Sequence, residues 1–141
     1  MATLKAIFDR ESAQSPVLIN SREELSALID GVIELPGDKP VPAIVELAVT
    51  EDAYGFPHLY AGIGAESGFV HELWNPARAT LGNRNATGTE LFDFAANTQE
   101  IPAEQVVPLE TVRRVLTAYF EHGGNIPADF ADLHQLTADQ I

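Results

Sequence analysis

The chain has 141 residues, 45% hydrophobic and 21% charged, a length and balance that fit one globular domain and argue against a disordered chain. Eight Lys and Arg against 21 Asp and Glu give a formal net charge of −13, which disfavours binding to a phosphate backbone, since that needs clustered cations. The absence of cysteine excludes disulfides, thiolate nucleophiles and cysteine-based zinc sites.

Residues 3–9 (TLKAIFD) alternate as a first strand, with Leu4, Ala6 and Phe8 on one side. A polar connection, RESAQSP, leads to VLIN and then to a helix start in which Ser21 and Glu24 form a capping box. Leu25, Leu28, Ile29 and Val32 follow at helical spacing and should face the core, before the turn-rich ELPGDKPVP. Residues 43–50 (AIVELAVT) are rich in β-branched side chains and read as a buried strand, followed by the loop EDAYGFP.

Residues 58–64 (HLYAGIG) and 68–74 (GFVHELW) suggest an antiparallel hairpin around AES. A turn centred on Glu66 places Leu59, Ala61, Ile63, Phe69, His71 and Leu73 on a core face. The other face then carries His58, Tyr60, Gly62, Val70, Glu72 and Trp74, a mixture suited to solvent or to a bound partner. The Asn- and Gly-rich loop that follows holds at most a weak strand around residues 79–81. Residues 89–96 (TELFDFAA) form another strand, with Phe92 and Phe94 opposite Leu91 and Asp93, and NTQEIPAEQVV reads as an irregular, Pro-marked crossing.

Pro108 suits the first turn of a second helix. Val112, Val115, Leu116, Tyr119 and Phe120 give that helix an apolar stripe, and Gly123 is its expected left-handed stop. The acidic tail should fray beyond His134, leaving 135–141 flexible. The expected fold is α+β, a single domain over residues 1–141 with a mostly antiparallel sheet of about five strands packed by two main helices. With no basic-then-apolar start and no spanning apolar window, the expected location is cytoplasmic, without membrane contact.

No catalytic constellation emerges. His58 and His71 fall on opposite faces in this register, and His71 among Leu and Phe reads as a core histidine. His122, in the last helical turn, is explained by the helix dipole. GIGAESG joins two strands instead of opening a helix, and no serine has a nucleophile-elbow context. The expectation is a protein that is not an enzyme and needs no cofactor or metal. The alternative is a small hydrolase or ligand-binding domain using a helix–sheet cavity lined by His58, Tyr60 and Glu72. The acidic excess favours a basic protein partner, with aromatic anchors ringed by carboxylates as its contact set: Glu51, Asp52, Tyr54, Tyr60, Glu66, Glu72, Trp74, Glu90 and Asp93. Oligomeric state stays open.

Residues 90–127 carry an aromatic strand (ELFDF), a Gln-Glu-Ile-Pro crossing and a Val-Pro-Leu lead into a helix bearing Val-Arg-Arg, then Tyr-Phe, Gly-Gly and Pro. This segment resembles the first-numbered family of bacterial immunity proteins of polymorphic toxin systems. VLINSREELSALID looks like that family's opening strand and helix, so the likeness covers roughly two-thirds of the chain. PADFADLHQ departs from the pattern, with Phe130 or Leu133 where family members often carry tryptophan. The resemblance implies a small cytoplasmic α+β protein that neutralises a cognate toxin domain, commonly a nuclease or nucleic-acid deaminase, without turnover of its own. Its motifs are architectural, so the segment marks the fold family and the acidic strands are left to carry the binding.

Overall fold

Apolar side chains on both sides of the central strands set the architecture, because each side needs its own cover. The computed structural model describes residues 3–9, 12, 14–34, 41–50, 59–73, 77–83, 85–94, 97–124 and 126–135. Strands β1 (Leu4–Ile7), β2 (Val17–Ile19), β3 (Ala43–Val49), β4 (Leu59–Ile63), β5 (Ser67–Glu72), β6 (Arg78–Ala79) and β10 (His134–Gln135) pair in the order β10-β6-β5-β4-β3-β1-β2. All of these pairings are antiparallel. Strands β7 (Thr89–Phe94) and β8 (Asn97–Pro102) form a separate antiparallel ribbon, joined to the sheet by a parallel bridge between Ala43 and Asp93. A 3-10 turn over Ala103–Gln105 and strand β9 (Val107–Pro108), paired with the start of β5, then lead into the second helix.

Helices α1 (Arg22–Glu34) and α2 (Leu109–Glu121) cover one face. Leu25, Leu28, Ile29 and Val32 of α1 and Val112, Val115, Leu116, Tyr119 and Phe120 of α2 are all buried, the two stripes expected from the 3.6-residue period. They pack on Leu4, Val45, Leu47, Val49, Leu59, Ala61, Ile63 and Val70. On the opposite face a smaller cluster of Ile44, Phe69, Phe92 and Ile101 joins the sheet to the ribbon, flanked by Tyr60, Phe94 and Val106. The result is three layers: helices, sheet, ribbon.

Local chemistry explains the helix ends. Ser21 Oγ accepts from the Glu24 N–H at 3.1 Å, and Glu24 Oε1 accepts from the N–H of Asn20, one residue before the cap, at 2.9 Å. At the end of α2 the Gly123 N–H reaches the Phe120 carbonyl and the Gly124 N–H reaches that of Tyr119, with Gly123 at φ 62°. That is the Schellman arrangement, and it places a left-handed glycine where one was expected.

Several expectations are corrected. The hairpin turn is not centred on Glu66: Ile63 pairs with Gly68, Gly62 with Phe69 and Tyr60 with His71. The register moves by one residue, so Phe69 and His71 change faces. They join Tyr60 and Gly62 under the ribbon, while Val70 and Glu72 join Leu59, Ala61 and Ile63 under the helices. The face expected to meet solvent or a partner is therefore largely roofed. NTQEIP is a full strand, β8, and not an irregular crossing, because β7 supplies its ladder. The described residues form ten strands instead of about five, several of them two or three residues long. Pro108 caps α2 from the end of β9 and does not sit within its first turn. His134 and Gln135 pair with β6, and residues 136–141 lie outside the described set.

Gly62 leaves no room for added volume on the ribbon side. A Cβ there would run into the Phe69 ring, which folds across Gly62 from the neighbouring strand, and into Phe92 beyond it. Phe69 and Phe92 meet edge to face at 4.9 Å between centroids, so displacing one displaces the seat of the ribbon. Gly62→Ala should lower stability by about 1–3 kcal/mol through overpacking, measured by urea denaturation; an unchanged midpoint would show that the ribbon is not seated through this contact.

Candidate interaction surface

Two polar nodes fix the layers in place before any surface is presented. Arg78 of β6 stands opposite Glu72 of β5 in the ladder, and its Nε and Nη2 donate to Glu72 Oε1 and Oε2 at 2.6 and 2.9 Å. Its remaining donors reach the Pro127 carbonyl at 2.8 Å and the Ile126 carbonyl at 3.0 Å. The two side chains are only 7% and 16% exposed. A bidentate guanidinium whose further bonds run to two backbone carbonyls is the geometry in which a buried ion pair is tolerated. It ties the segment after α2 back to the sheet.

The second node lies two residues further along the chain, beside the same β5–β6 pairing. Thr80 Oγ1 accepts from the Val70 N–H at 3.1 Å and donates to the Gln105 carbonyl at 2.8 Å. The buried Gln105 side chain in turn holds His71 Nε2 at 2.6 Å, and the His71 ring leans on Phe69 at 4.7 Å. Burial holds the His71 pKa below the ordinary imidazole range, with the Gln105 contact opposing it. His71 is thus a satisfied, mostly enclosed histidine, and Gln105, which carries no signal of its own in sequence, is its partner.

The residues singled out from the sequence separate into three groups. Glu72 is committed to Arg78. Tyr60 faces the ribbon side, its ring 6.1 Å from that of Phe94, and burial together with the facing Glu46 raises its pKa. Tyr60 and Glu72 thus lie on opposite faces of the sheet, and the polar lining proposed for a hydrolytic cavity is not assembled by them; His58 lies outside the described residues. Glu51, Asp52, Tyr54 and Trp74 also lie outside them. Glu66, Glu90 and Asp93 remain, and the fold gives them company. Glu66 is exposed at the β4–β5 turn, Glu90 and Glu100 are exposed on the ribbon, and Glu104 follows on the 3-10 turn. Leu91, 47% exposed, stands across from Glu100, and Asp93 Oδ1 accepts from Thr98 Oγ1 at 2.8 Å.

Charge pairing distinguishes this surface from the helical side. There, Arg22 pairs with Glu121, Arg113 with Asp30, and Arg114 with Asp132 and Glu110. A shallow groove of about 460 Å³ along α2, lined by Arg113, Arg114, Thr117, Glu121 and Phe130, is bordered by these neutralised pairs. On the ribbon side, no Lys, Arg or His occurs in the sequence from Asn85 to Pro108, which carries Glu90, Asp93, Glu100 and Glu104. Among the described residues no cation pairs with Glu66, Glu90, Asp93, Glu100 or Glu104. The arrangement can concentrate negative potential on one side of the molecule and attract a cationic surface. No group of three or more His, Asp or Glu among the described residues could hold a metal ion, and no helix among them is long and apolar enough to cross a membrane.

A family model described as Immunity protein Imm1 matches residues 13–134. No curated protein gives a significant match.

Both polar nodes have measurable consequences. Arg78→Met should destabilise the fold by about 3–5 kcal/mol, because it strands the Glu72 carboxylate in a buried site; denaturation of the single variant against Arg78→Met with Glu72→Met should recover much of the loss. Near-identical stabilities for wild type and the single variant would show that the node is idle. For His71, a folded-state pKa below 6.5 means that the unfolded chain takes up the proton first. Its contribution to stability is therefore intact above that value and is lost as pH falls through the folded-state pKa, with a slope of at most about 1.4 kcal/mol per pH unit. His71→Gln should flatten the decline in unfolding free energy between pH 7 and pH 5, and an unaltered decline would remove His71 as its source.

Proposed function

Because this chain belongs to the Imm1 family of immunity proteins, we propose that it neutralises a cognate toxin domain, a nuclease or nucleic-acid deaminase, by binding it through charge and shape complementarity. The observation that carries the mechanism is the segregation of charge. Cations on the helical side are absorbed by ion pairs, whereas the carboxylates of the ribbon and the β4–β5 turn have none among the described residues. A cleft built to hold nucleic acid is basic, so an uncompensated acidic face is complementary to it and speeds encounter. The protein acts by occupancy, with no cofactor and no turnover of its own, in the cytoplasm where such a toxin would do harm.

The contact set we favour is Glu66, Glu90, Asp93, Glu100 and Glu104, with Leu91 as an apolar contact among them. Glu51, Asp52, Tyr54 and Trp74 extend it as acidic and aromatic members. Tyr60 contributes from its position beside the ribbon. Glu72 leaves the set, since its carboxylate holds Arg78. This division makes the proposal sharper than acidity alone: carboxylates of similar exposure on the helical side should be indifferent to the partner.

Charge reversal tests it. Glu66→Lys with Glu90→Lys should slow association with the toxin domain encoded immediately upstream by about tenfold or more at low ionic strength, and the difference should shrink as salt screens it. Glu23→Lys, on the exposed start of α1, should leave the rate unchanged. Equal on-rates for all three proteins would remove the acidic face, and failure of the wild-type chain to protect cells producing that toxin would remove the immunity reading for this pair.

A further inference from the structure

The ribbon offers more than charge: among the described residues, one of its long edges is open, since strand β8 pairs there with β7 alone. The direction of its free groups follows from two neighbouring hydrogen bonds. The Asp93 N–H turns away from β8 to the Pro42 carbonyl at 2.8 Å, and the Ala103 N–H donates across the ribbon to the Gly88 carbonyl at 3.0 Å. In an antiparallel ladder, hydrogen-bonded and non-hydrogen-bonded pairs alternate. Asp93 and Thr98 are therefore a non-hydrogen-bonded pair, as are Leu91 and Glu100. The N–H and C=O groups of Thr98 and Glu100 consequently point outward, away from β7. No backbone partner for them is present among the described residues.

Such an edge is usually blunted by lysine, by proline or by a covering segment. Strand β8 (NTQEIP) has no lysine, and its proline, Pro102, stands at the end of the strand, where it closes the edge without interrupting it. Asn97, Thr98, Gln99 and Glu100 are all exposed. The outer face beside this edge carries Leu91, Asp93, Thr98 and Glu100. A second copy of the chain would bring two acidic ribbons together edge to edge, which like-charge repulsion opposes. A strand with Lys or Arg at alternate positions meets no such penalty.

We propose that the β8 edge captures its partner by strand addition: an extended segment of the toxin, with basic side chains at every second position, hydrogen-bonds to Thr98 and Glu100 and sets those cations beside Glu100 and Asp93. This rests on the immunity reading above and specifies its mode of contact. Backbone hydrogen bonds would supply affinity and the alternating cations register.

Two measurements test it, both with the full chain and the catalytically silenced toxin domain encoded upstream. In hydrogen exchange, the Thr98 and Glu100 amides should exchange freely in the free protein and become protected in the complex. Their continued free exchange in a formed complex overturns strand addition while leaving the immunity reading intact. Protection already present in the free protein, accompanied by a dimer in sedimentation, overturns it in favour of self-pairing. If the wild-type chain neither binds nor protects, both readings fall together. The second measurement compares Glu100→Pro with Glu100→Gln. Both remove the charge, but only the proline removes the outward N–H, and it breaks no bond to β7. Glu100→Pro should bind at least about tenfold more weakly than Glu100→Gln, chiefly through faster dissociation. Equal affinities, with both variants folded by circular dichroism, overturn the proposal.

Discussion

Strands β3, β4 and β5 are apolar on both sides, and the rest of the structure is a response to that fact. Val45, Leu47, Leu59, Ala61, Ile63 and Val70 require the helices, and Ile44 and Phe69 require something else. At roughly 25 cal/mol per Å² of apolar surface, a phenylalanine left exposed on the second face would forfeit a few kcal/mol, a large share of a typical domain's stability. The chain's solution is to fold β7 and β8 back as a ribbon whose inner residues, Phe92 and Ile101, complete the second cluster. Strand alternation then leaves the ribbon no choice about its other side. If Phe92 faces in, Leu91 and Asp93 face out, and with them Thr98 and Glu100.

The functional surface is in this sense a by-product of burial, and charge determines what it becomes. A two-stranded ribbon alone is marginal in water, so this one depends on the Phe69–Phe92 contact and on the segment beyond it, where Gln105 and Thr80 bind the 3-10 turn to the sheet. These interactions are neutral and short in range. Carboxylates could therefore accumulate outside without being needed for folding, while Arg22, Arg113 and Arg114 on the helical side hold α1, α2 and the following segment together. Salt should accordingly weaken partner binding more than it weakens the fold, because exposed charges are screened and the two nodes are enclosed.

The buried faces of the two helices were legible in the sequence to the residue. Leu25, Leu28, Ile29 and Val32, and later Val112, Val115, Leu116, Tyr119 and Phe120, announce their buried faces by spacing alone. Their ends are written in local chemistry, at Ser21, Glu24 and Gly123. The β4–β5 register was not legible, for a physical reason. Leu59, Ala61 and Ile63 can face the helices with either Phe69 or Val70 opposite, since both are apolar and both are buried. Only the ribbon, which arrives some 20 residues later, rewards Phe69 for facing the other way. Strand β8 was missed for the same kind of reason: NTQEIP has weak strand preference and acquires its conformation from β7.

The same non-local logic separates the acidic residues that matter to the fold from those free to bind. Nothing in the local sequence distinguishes Glu72 from Glu90; each sits in a strand near aromatic residues. What distinguishes them is Arg78, an arginine in a loop-like stretch that becomes buried because the strand beside it carries Glu72 and the chain after α2 brings two carbonyls within reach. Once that pair is set aside, Asp93 and Glu100 remain on the ribbon's outer face, beside a strand edge that has no partner among the described residues. A cationic patch could meet the charges in many orientations, but an open ladder admits only a strand, in a limited set of registers. Edge and charge together therefore provide what charge alone lacks, a means of distinguishing one basic protein from another.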